Sequence, residues 1–80
     1  MQLNEAVSQR IRELLAERGM TPYRLYIMSG VPKSTIGNVL NCVNPSVQLR
    51  IIHELCQGLE ISLEEFFHSP LFDENTVMKS

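Results

Sequence analysis

Residues 29–41, SGVPKSTIGNVLN, constrain the fold of this 80-residue chain more than any other segment. Glycine at position 30 favours the end of one short helix, and Pro32 disfavours a helical conformation at the residue before it. Around this break the apolar residues keep helical spacing: Val31, Ile36, Val39 and Leu40. Two short helices joined by a tight turn that contains glycine form a helix-turn-helix. The segment therefore predicts this motif, with its joint at Gly30.

The rest of the chain also has helical periodicity, and no segment alternates as a strand does. We predict a first helix over about 4–18, a second over about 22–29, a third that ends near residue 40, a fourth over about 47–58 and a short fifth after Ser62. The links between them contain two to six residues. Five short helices with short links predict an all-α, compact domain.

Capping residues support these helix boundaries. Thr21 is predicted to cap the second helix, and either Asn44 or Ser46 the fourth. Ser62 and Glu65 have the spacing of a capping box at the start of the fifth helix. Glycines are predicted to end the first and fourth helices, at positions 19 and 58. The fourth helix is expected to bury an apolar stripe that consists of Leu49, Ile52, Cys56 and Leu59.

A chain of this length forms one domain at most. We place the domain at 1–69, with the helix-turn-helix over about 22–41 and a C-terminal tail over 70–80 that is loose or associated with a dimer contact. No stretch approaches the roughly 20 apolar residues of a membrane span, and the first ten residues lack the apolar segment of a signal peptide. We therefore expect a cytoplasmic protein without membrane contact.

The net charge of −2 does not by itself indicate a nucleic-acid partner. Charge is unevenly distributed, however, because residues 1–50 have a net charge of +3 and residues 51–80 a net charge of −5. A basic front and an acidic rear would orient a small domain towards a polyanion. The alternative is chance, since the counts are small.

The outer face of the third helix has an unusual composition. With the apolar residues directed towards the core, Lys33, Ser34, Gly37 and Asn38 form one outward patch. Glycine inside a helix costs about 1 kcal/mol relative to alanine, and close approach to another surface would explain it. Lysine can donate to guanine, asparagine can pair with adenine, and serine can bond to either base. The alternative is a solvated helix with a stray glycine.

Most of the sequence resembles a known family. RIRELLAERGMTPYRLYIMSGVPKSTIGNVLN, followed by NPS and ISLEEFF, is similar to the Cro and lambda-repressor type of helix-turn-helix DNA-binding domain, also called the Xre family. The similarity extends over about residues 7–67. It implies a five-helix, lambda-repressor-like fold whose third helix enters the major groove of DNA. Members are commonly dimeric repressors or regulators of transcription.

The resemblance also implies roles for individual residues. It agrees that Lys33, Ser34 and Asn38 contact bases, while the close approach at Gly37 is expected from the composition of the helix face alone. Four further side chains are expected near phosphates: Thr21, Thr35, Asn41 and Asn44. Arg24 is expected to follow the DNA backbone because of its charge and position. A homodimer on a palindromic operator would place two third helices about 34 Å apart, one turn of DNA.

Several residues depart from the family pattern. Tyr26 stands where the family prefers a small residue, so it must splay the two helices or point outward. Ile27 and Met28 occupy positions that are usually polar, and Pro22 replaces a glutamine that often touches phosphate. The competing prediction is therefore a protein-interaction module, such as an antitoxin or an anti-repressor-type partner binder, with weak or lost DNA binding.

The remaining chemistry-bearing residues predict neither an enzyme nor a cofactor. Nothing resembles a nucleophile elbow or a phosphate-binding loop. A zinc set can be imagined from Cys42, His53, Cys56 and His68, but its spacing provides one close pair rather than two, and we expect no metal. The two cysteines are expected to be buried thiols that act as small apolar groups.

An aromatic cluster near the end of the chain has two interpretations. Phe67, Leu71 and Phe72, together with Phe66, either cover the core or leave an apolar face for a dimer contact. We take Phe67, Leu71 and Phe72 as the candidate dimer residues.

Overall fold

Five α-helices and one 3-10 turn make up the computed structural model, which describes residues 1–77. The helices are α1 (Leu3–Arg18), α2 (Pro22–Ser29), α3 (Lys33–Leu40), α4 (Leu49–Leu59) and α5 (Leu63–Phe67), and the 3-10 turn is Pro70–Phe72. No strand occurs in this part of the chain. The predicted all-α, five-helix architecture is confirmed.

Local signals determine most helix ends. The backbone N–H of Arg24 donates to the Thr21 hydroxyl oxygen over 3.1 Å, as expected of a helix cap. Gly30 ends α2 in the left-handed region at φ 75°, a conformation that glycine adopts without steric penalty. Ser62 and Glu65 form the predicted capping box at the start of α5. The second helix has the predicted bounds, and the first begins one residue earlier than predicted.

The fourth helix corrects four predictions. It begins at Leu49 after Gln48, so neither Asn44 nor Ser46 caps it, and the preceding link is longer than the predicted six residues. Leu49 itself is 63% exposed and does not belong to the buried stripe. The helix ends at Leu59 and is followed by Glu60 as its left-handed C-cap, with a φ of 59°, so Gly58 lies inside the helix and does not stop it.

Gly58 is required by the packing of α4 against α2. A Cβ atom at this position would lie 2.7 Å from the Cβ of Ser29 and 3.0 Å from its Cα and its backbone nitrogen. Because Ser29 is the last residue of α2, this contact fixes α4 directly against the end of the helix that precedes the turn.

The core connects every helix of the fold. Its largest fully buried side chains come from α1, α2, α4 and α5 and from the turn: Phe66, Ile11, Leu25, Leu55, Leu59 and Val31. Leu25 and Val31 stand on either side of Gly30 and are 0% and 1% exposed. The helix-turn-helix is therefore anchored to the core on both sides of its turn, which fixes the orientation of α3.

Three arginines of α1 bind the carboxyl ends of other helices. Arg12 donates to the carbonyl of Leu40 at the end of α3 over 3.0 Å, and Arg18 donates to that of Leu59 at the end of α4 over 3.0 Å. Arg10 donates to the carbonyls of Phe66 and Glu65 in α5 over 2.7 and 2.8 Å. A cation is favourable at a helix C-terminus because of the helix dipole. The prediction of one basic front over residues 1–50 is therefore corrected, because these three charges hold the helices together.

Ser8 is the one polar residue among the buried side chains of residues 1–77, and it offers a test of this arrangement. Its hydroxyl donates to the Leu40 carbonyl over 2.6 Å, beside the Arg12 contact with the same oxygen. We expect Ser8→Ala to lower the free energy of unfolding by about 1 kcal/mol, since the acceptor keeps one partner. Urea unfolding measures this loss, with the exposed Gln9→Ala as the control on the same helix. Equal stability of the two variants would contradict the expectation.

The C-terminal residues pack onto the domain as far as the structure describes them. The rings of Phe66, Phe67 and Phe72 have centroids 4.9 to 6.0 Å apart, and the partly buried Phe72 packs against the core. The backbone nitrogen of Met1 donates to the carbonyl of Thr76 over 2.8 Å. Residues 78–80 of the expected tail lie outside the described residues.

Both cysteines are free thiols. Cys56 is buried as predicted, and burial raises the pKa of its thiol to about 11, an effect that the nearby Arg10 partly opposes. Cys42 is only half-buried, at the end of α3. No helix within residues 1–77 is long and apolar enough to span a membrane.

Candidate nucleic-acid interface

One side of α3 is packed into the core and the other faces solvent. Ile36, Val39 and Leu40 are buried, and three polar side chains of the opposite side are exposed: Lys33, Ser34 and Asn38. The outward orientation that the apolar spacing predicts is confirmed. The solvent side of this helix therefore presents hydrogen-bonding groups that no residue of 1–77 buries.

Gly37 lies among these polar residues, and the fold does not require a glycine there. A Cβ atom at this position would meet nothing within 4 Å, in contrast to the crowded Gly58. Glycine in a helix interior costs about 1 kcal/mol relative to alanine, so it is a disadvantage in the isolated domain. Nothing within residues 1–77 accounts for a glycine at this position.

A groove of about 530 Å³ separates α3 from the start of α4. Its lining brings Thr35, Asn38 and Asn44 together, one predicted base contact and two predicted phosphate contacts. Asn41, also exposed, ends α3 but does not line this groove. Thr21 and Arg24 lie apart from the groove, exposed at the start of α2. The predicted residues are thus distributed over three places: α3, the groove and the start of α2.

Arg50 also lines this groove and was missed by the sequence reasoning. It is exposed and occupies the second position of α4, whose N-terminus has no side-chain cap. Uncapped N–H groups and a nearby cation favour an anion. The misplaced start of α4 concealed this arrangement, because Arg50 was counted only in the overall charge.

The loop between α3 and α4 is held in place by hydrogen bonds. The backbone N–H of Val43 donates to the carbonyl of Asn38 over 3.0 Å, and the side-chain amide of Asn4 donates to that of Asn44 over 3.0 Å. Cys42 adopts a positive φ of 53° within this loop. The position of Asn44 is therefore fixed from both α1 and α3.

The electrostatics of this surface favour an anionic partner. The sequence contains no acidic residue between Glu17 and Glu54, an interval that covers α2, α3, the loop and the start of α4. Besides Arg18, which donates to the Leu59 carbonyl, three cations in the same interval are exposed: Arg24, Lys33 and Arg50. These three, rather than the arginines of α1, constitute the positive charge of the candidate interface.

Two tyrosines of α2 lie beside the first residue of α3. The Nζ atom of Lys33 is 5.2 Å from the ring centroid of Tyr23 and 5.5 Å from that of Tyr26. Tyr26 is half-buried and packs against the core, while Tyr23 is 58% exposed. The side chains of Ile27 and Met28 are 49% and 40% exposed on the same helix.

Within residues 1–77, no three His, Cys, Asp or Glu side chains lie close enough together to hold a metal ion. The zinc set considered from the sequence is therefore not assembled in this part of the chain.

The sequence matches a family model, and the structure is similar to solved structures of other proteins. A family model described as the Cro/C1-type helix-turn-helix DNA-binding domain matches residues 10–69. Among solved structures, the chain is similar to the prophage Lp1 protein 11, with a TM-score of 0.81, 27% identity, and 92% of this chain and 99% of that chain covered. It is also similar to a mutant of the restriction-modification controller protein C.Esp1396I, with a TM-score of 0.75, 26% identity, and coverage of 84% and 86%.

No curated protein matches the sequence. The family match includes all of α2, α3 and α4 and most of α1, which are the elements that form and support the candidate interface. The chain therefore belongs to the Cro/C1-type helix-turn-helix family and is a DNA-binding transcription regulator.

Proposed function

We propose that this chain is a transcriptional repressor that binds a palindromic operator as a homodimer, with α3 inserted into the major groove. The observation that carries the proposal is the exposed, low-profile face of α3, with Gly37 open to solvent between polar side chains. A major groove about 12 Å wide admits an α-helix, and small side chains allow the helix to approach the base edges closely.

Each exposed polar residue of α3 has a role in this proposal. Lys33 donates to guanine O6 and N7, Asn38 pairs with adenine N6 and N7, and Ser34 bonds to either base. Contacts to phosphate come from residues around this helix: Thr21, Arg24, Thr35, Asn41, Asn44 and Arg50. Phosphate contacts supply affinity and register, while base contacts supply the sequence preference.

The homodimer is proposed through the apolar surface near α5. Of the three residues expected there, Phe67 is 37% exposed, while Leu71 and Phe72 are half-buried. Phe67 lines a groove of about 280 Å³ together with Leu3 and Leu49, which are 55% and 63% exposed. The proposed contact is therefore centred on Phe67 and includes these two leucines.

Selection of bound sites from a random duplex pool, combined with sedimentation of the free protein, tests this function. We expect an inverted repeat whose half-sites are about 10 base pairs apart from centre to centre, and a species of twice the chain mass. A single unrepeated half-site together with a monomer would contradict the dimer. Repression is tested by placing the selected site over a reporter promoter, where the protein should lower transcription.

A second candidate function is supported by the exposed apolar side chains of α2. Three of these side chains are at least 40% exposed: Ile27, Met28 and Tyr23. They would form a contact with a protein partner if this chain is an antitoxin or an anti-repressor-type binder. Titration with random duplex DNA at low and moderate salt separates the two functions. Binding that weakens steeply with salt favours the DNA function, whereas no binding at low salt favours the protein partner.

A further inference from the structure

Lys33 is held by two aromatic rings before any DNA is present. Its ammonium lies within 6 Å of the centroids of Tyr23 and Tyr26, whose own centroids are 5.9 Å apart with the ring planes inclined at 59°. This is the distance range in which a cation is attracted to the face of an aromatic ring. The two rings come from α2 and the lysine from α3, so the contact bridges the turn.

No carboxylate of residues 1–77 pairs with this ammonium. Lys33 forms no ion pair among residues 1–77, and no carboxylate occurs in the sequence between Glu17 and Glu54. The half-buried Tyr26 is packed against the core, so one ring of the pair has a fixed position. Tyr23 completes the pair from the first turn of α2.

A lysine side chain has four rotatable bonds and loses much conformational freedom when it binds at one place. Holding the ammonium in advance reduces this loss, as preorganisation does in binding generally. Each exposed cation–aromatic contact changes an equilibrium constant by roughly two- to fivefold. The tyrosine pair is therefore strong enough to bias where the ammonium lies, and weak enough to release it to a stronger partner.

We propose that Tyr23 and Tyr26 are positioning residues that hold Lys33 for base contact and thereby determine the base preference at the operator position facing the first turn of α3. This inference rests on the proposed function, because it requires α3 to read DNA. It assigns a role to Tyr26, which occupies a position where the family prefers a small side chain.

The free protein provides a test that does not depend on DNA. The chain has two lysines, Lys33 and Lys79, so lysine labelled with ¹³C gives two sets of side-chain signals, which Lys79→Arg assigns. We expect the Hε protons of Lys33 to be shifted upfield by the rings in the unsubstituted protein and in Tyr23→Phe. In Tyr23→Leu the upfield shift should fall by about half. Ordinary Hε shifts in the unsubstituted protein would overturn the inference.

Site selection from a random duplex pool then tests the effect on recognition. We expect Tyr23→Leu to reduce the preference at one base pair of each half-site by about two- to fivefold and to leave binding to random DNA unchanged, whereas Tyr23→Phe keeps the preference. Because Tyr23 is 58% exposed, both variants should fold, which thermal unfolding verifies. Tyr26→Phe should also keep the preference, since it retains the ring.

The outcomes separate the inference from the function on which it rests. If the unsubstituted protein and Tyr23→Leu select the same site with equal preference, the inference fails and the repressor function stands. If Tyr23→Phe weakens binding to all DNA, the tyrosine acts through its hydroxyl on phosphate, and the inference fails. If the unsubstituted protein selects no site, the proposed function fails and the inference fails with it.

Discussion

Replacing Gly58 with alanine should lower the free energy of unfolding by about 2 kcal/mol, whereas the same change at Gly37 should raise it by up to about 1 kcal/mol. Both glycines lie inside helices, at neither end. The gain in helix propensity is therefore the same in both variants. The two changes in the free energy of unfolding therefore differ in sign only because the space around each Cβ position differs.

At Gly58 the added methyl group meets atoms that cannot move independently. Its nearest neighbours are the Cβ, the Cα and the backbone nitrogen of Ser29, at 2.7, 3.0 and 3.0 Å. Relief requires α4 to move away from the end of α2, which opens the tightly packed region behind the turn. Overpacking costs about 1–3 kcal/mol, and a clash with backbone atoms belongs at the upper end of this range. After the gain of about 1 kcal/mol from alanine in a helix, a net loss of about 2 kcal/mol remains.

Urea unfolding of Gly58→Ala, Gly37→Ala and the unsubstituted protein measures the two effects under identical conditions. Equal stability of the two variants would mean that α2 and α4 separate without cost, contrary to the packing described. Gly37→Ala has a second expected effect, because its methyl group lies on the face that we propose approaches DNA. It should bind the selected operator more weakly although it is the more stable protein.

Most of the fold could be predicted from the sequence because helix ends are local. The Thr21 cap, the Gly30 stop and the capping box of Ser62 and Glu65 all involve residues within four positions of each other, and all are confirmed. The outward face of α3 could be predicted for a similar reason, since the spacing of the apolar residues fixes the orientation of a short helix.

The errors concern interactions between distant parts of the chain. Gly58 has the composition of a helix stop, but it is required by Ser29, which lies in a different helix. Leu49 has the spacing of a core residue, but α4 begins there and leaves it exposed. Sequence spacing gives no information on which helices meet, so these two positions could not be assigned from it.

The roles of the charged residues could not be predicted for the same reason, because they depend on contacts between distant parts of the chain. Arg10, Arg12 and Arg18 look like surface cations in the sequence, and the structure uses them at the ends of three other helices. Arg50 was overlooked because its place beside Thr35 and Asn44 depends on the path of the loop. The contact of Lys33 with two tyrosines depends likewise on the angle between α2 and α3.

Two substitutions at the interface should affect different properties of DNA binding, one the base preference and the other the overall affinity. Asn38→Ala should reduce the preference for the selected operator over random DNA by about 5- to 150-fold, since a bidentate base contact contributes about 1–3 kcal/mol of discrimination. Its binding to random DNA should change little. Arg24→Ala should weaken binding to operator and random DNA alike, and should lower the salt dependence of log K by about one unit of slope.

The structure explains why the two effects should be separable. Asn38 is exposed on the solvent face of α3 and also lines the groove that leads to α4, so its side chain is free to meet base edges. Arg24 is exposed on the first turn of α2, the helix that crosses the DNA backbone in this motif. A phosphate contact releases the same counterions from any sequence, so its loss cannot alter base preference.

Competition of labelled operator with random duplex DNA, repeated at several salt concentrations, measures preference and slope in one series. The exposed Asn75→Ala is the matched control for Asn38→Ala, since it removes the same amide far along the chain from α3. Both variants could instead weaken all sequences by the same factor with parallel salt dependence. In that case α3 would not be reading bases, because the asparagine would then act only through affinity for the DNA backbone.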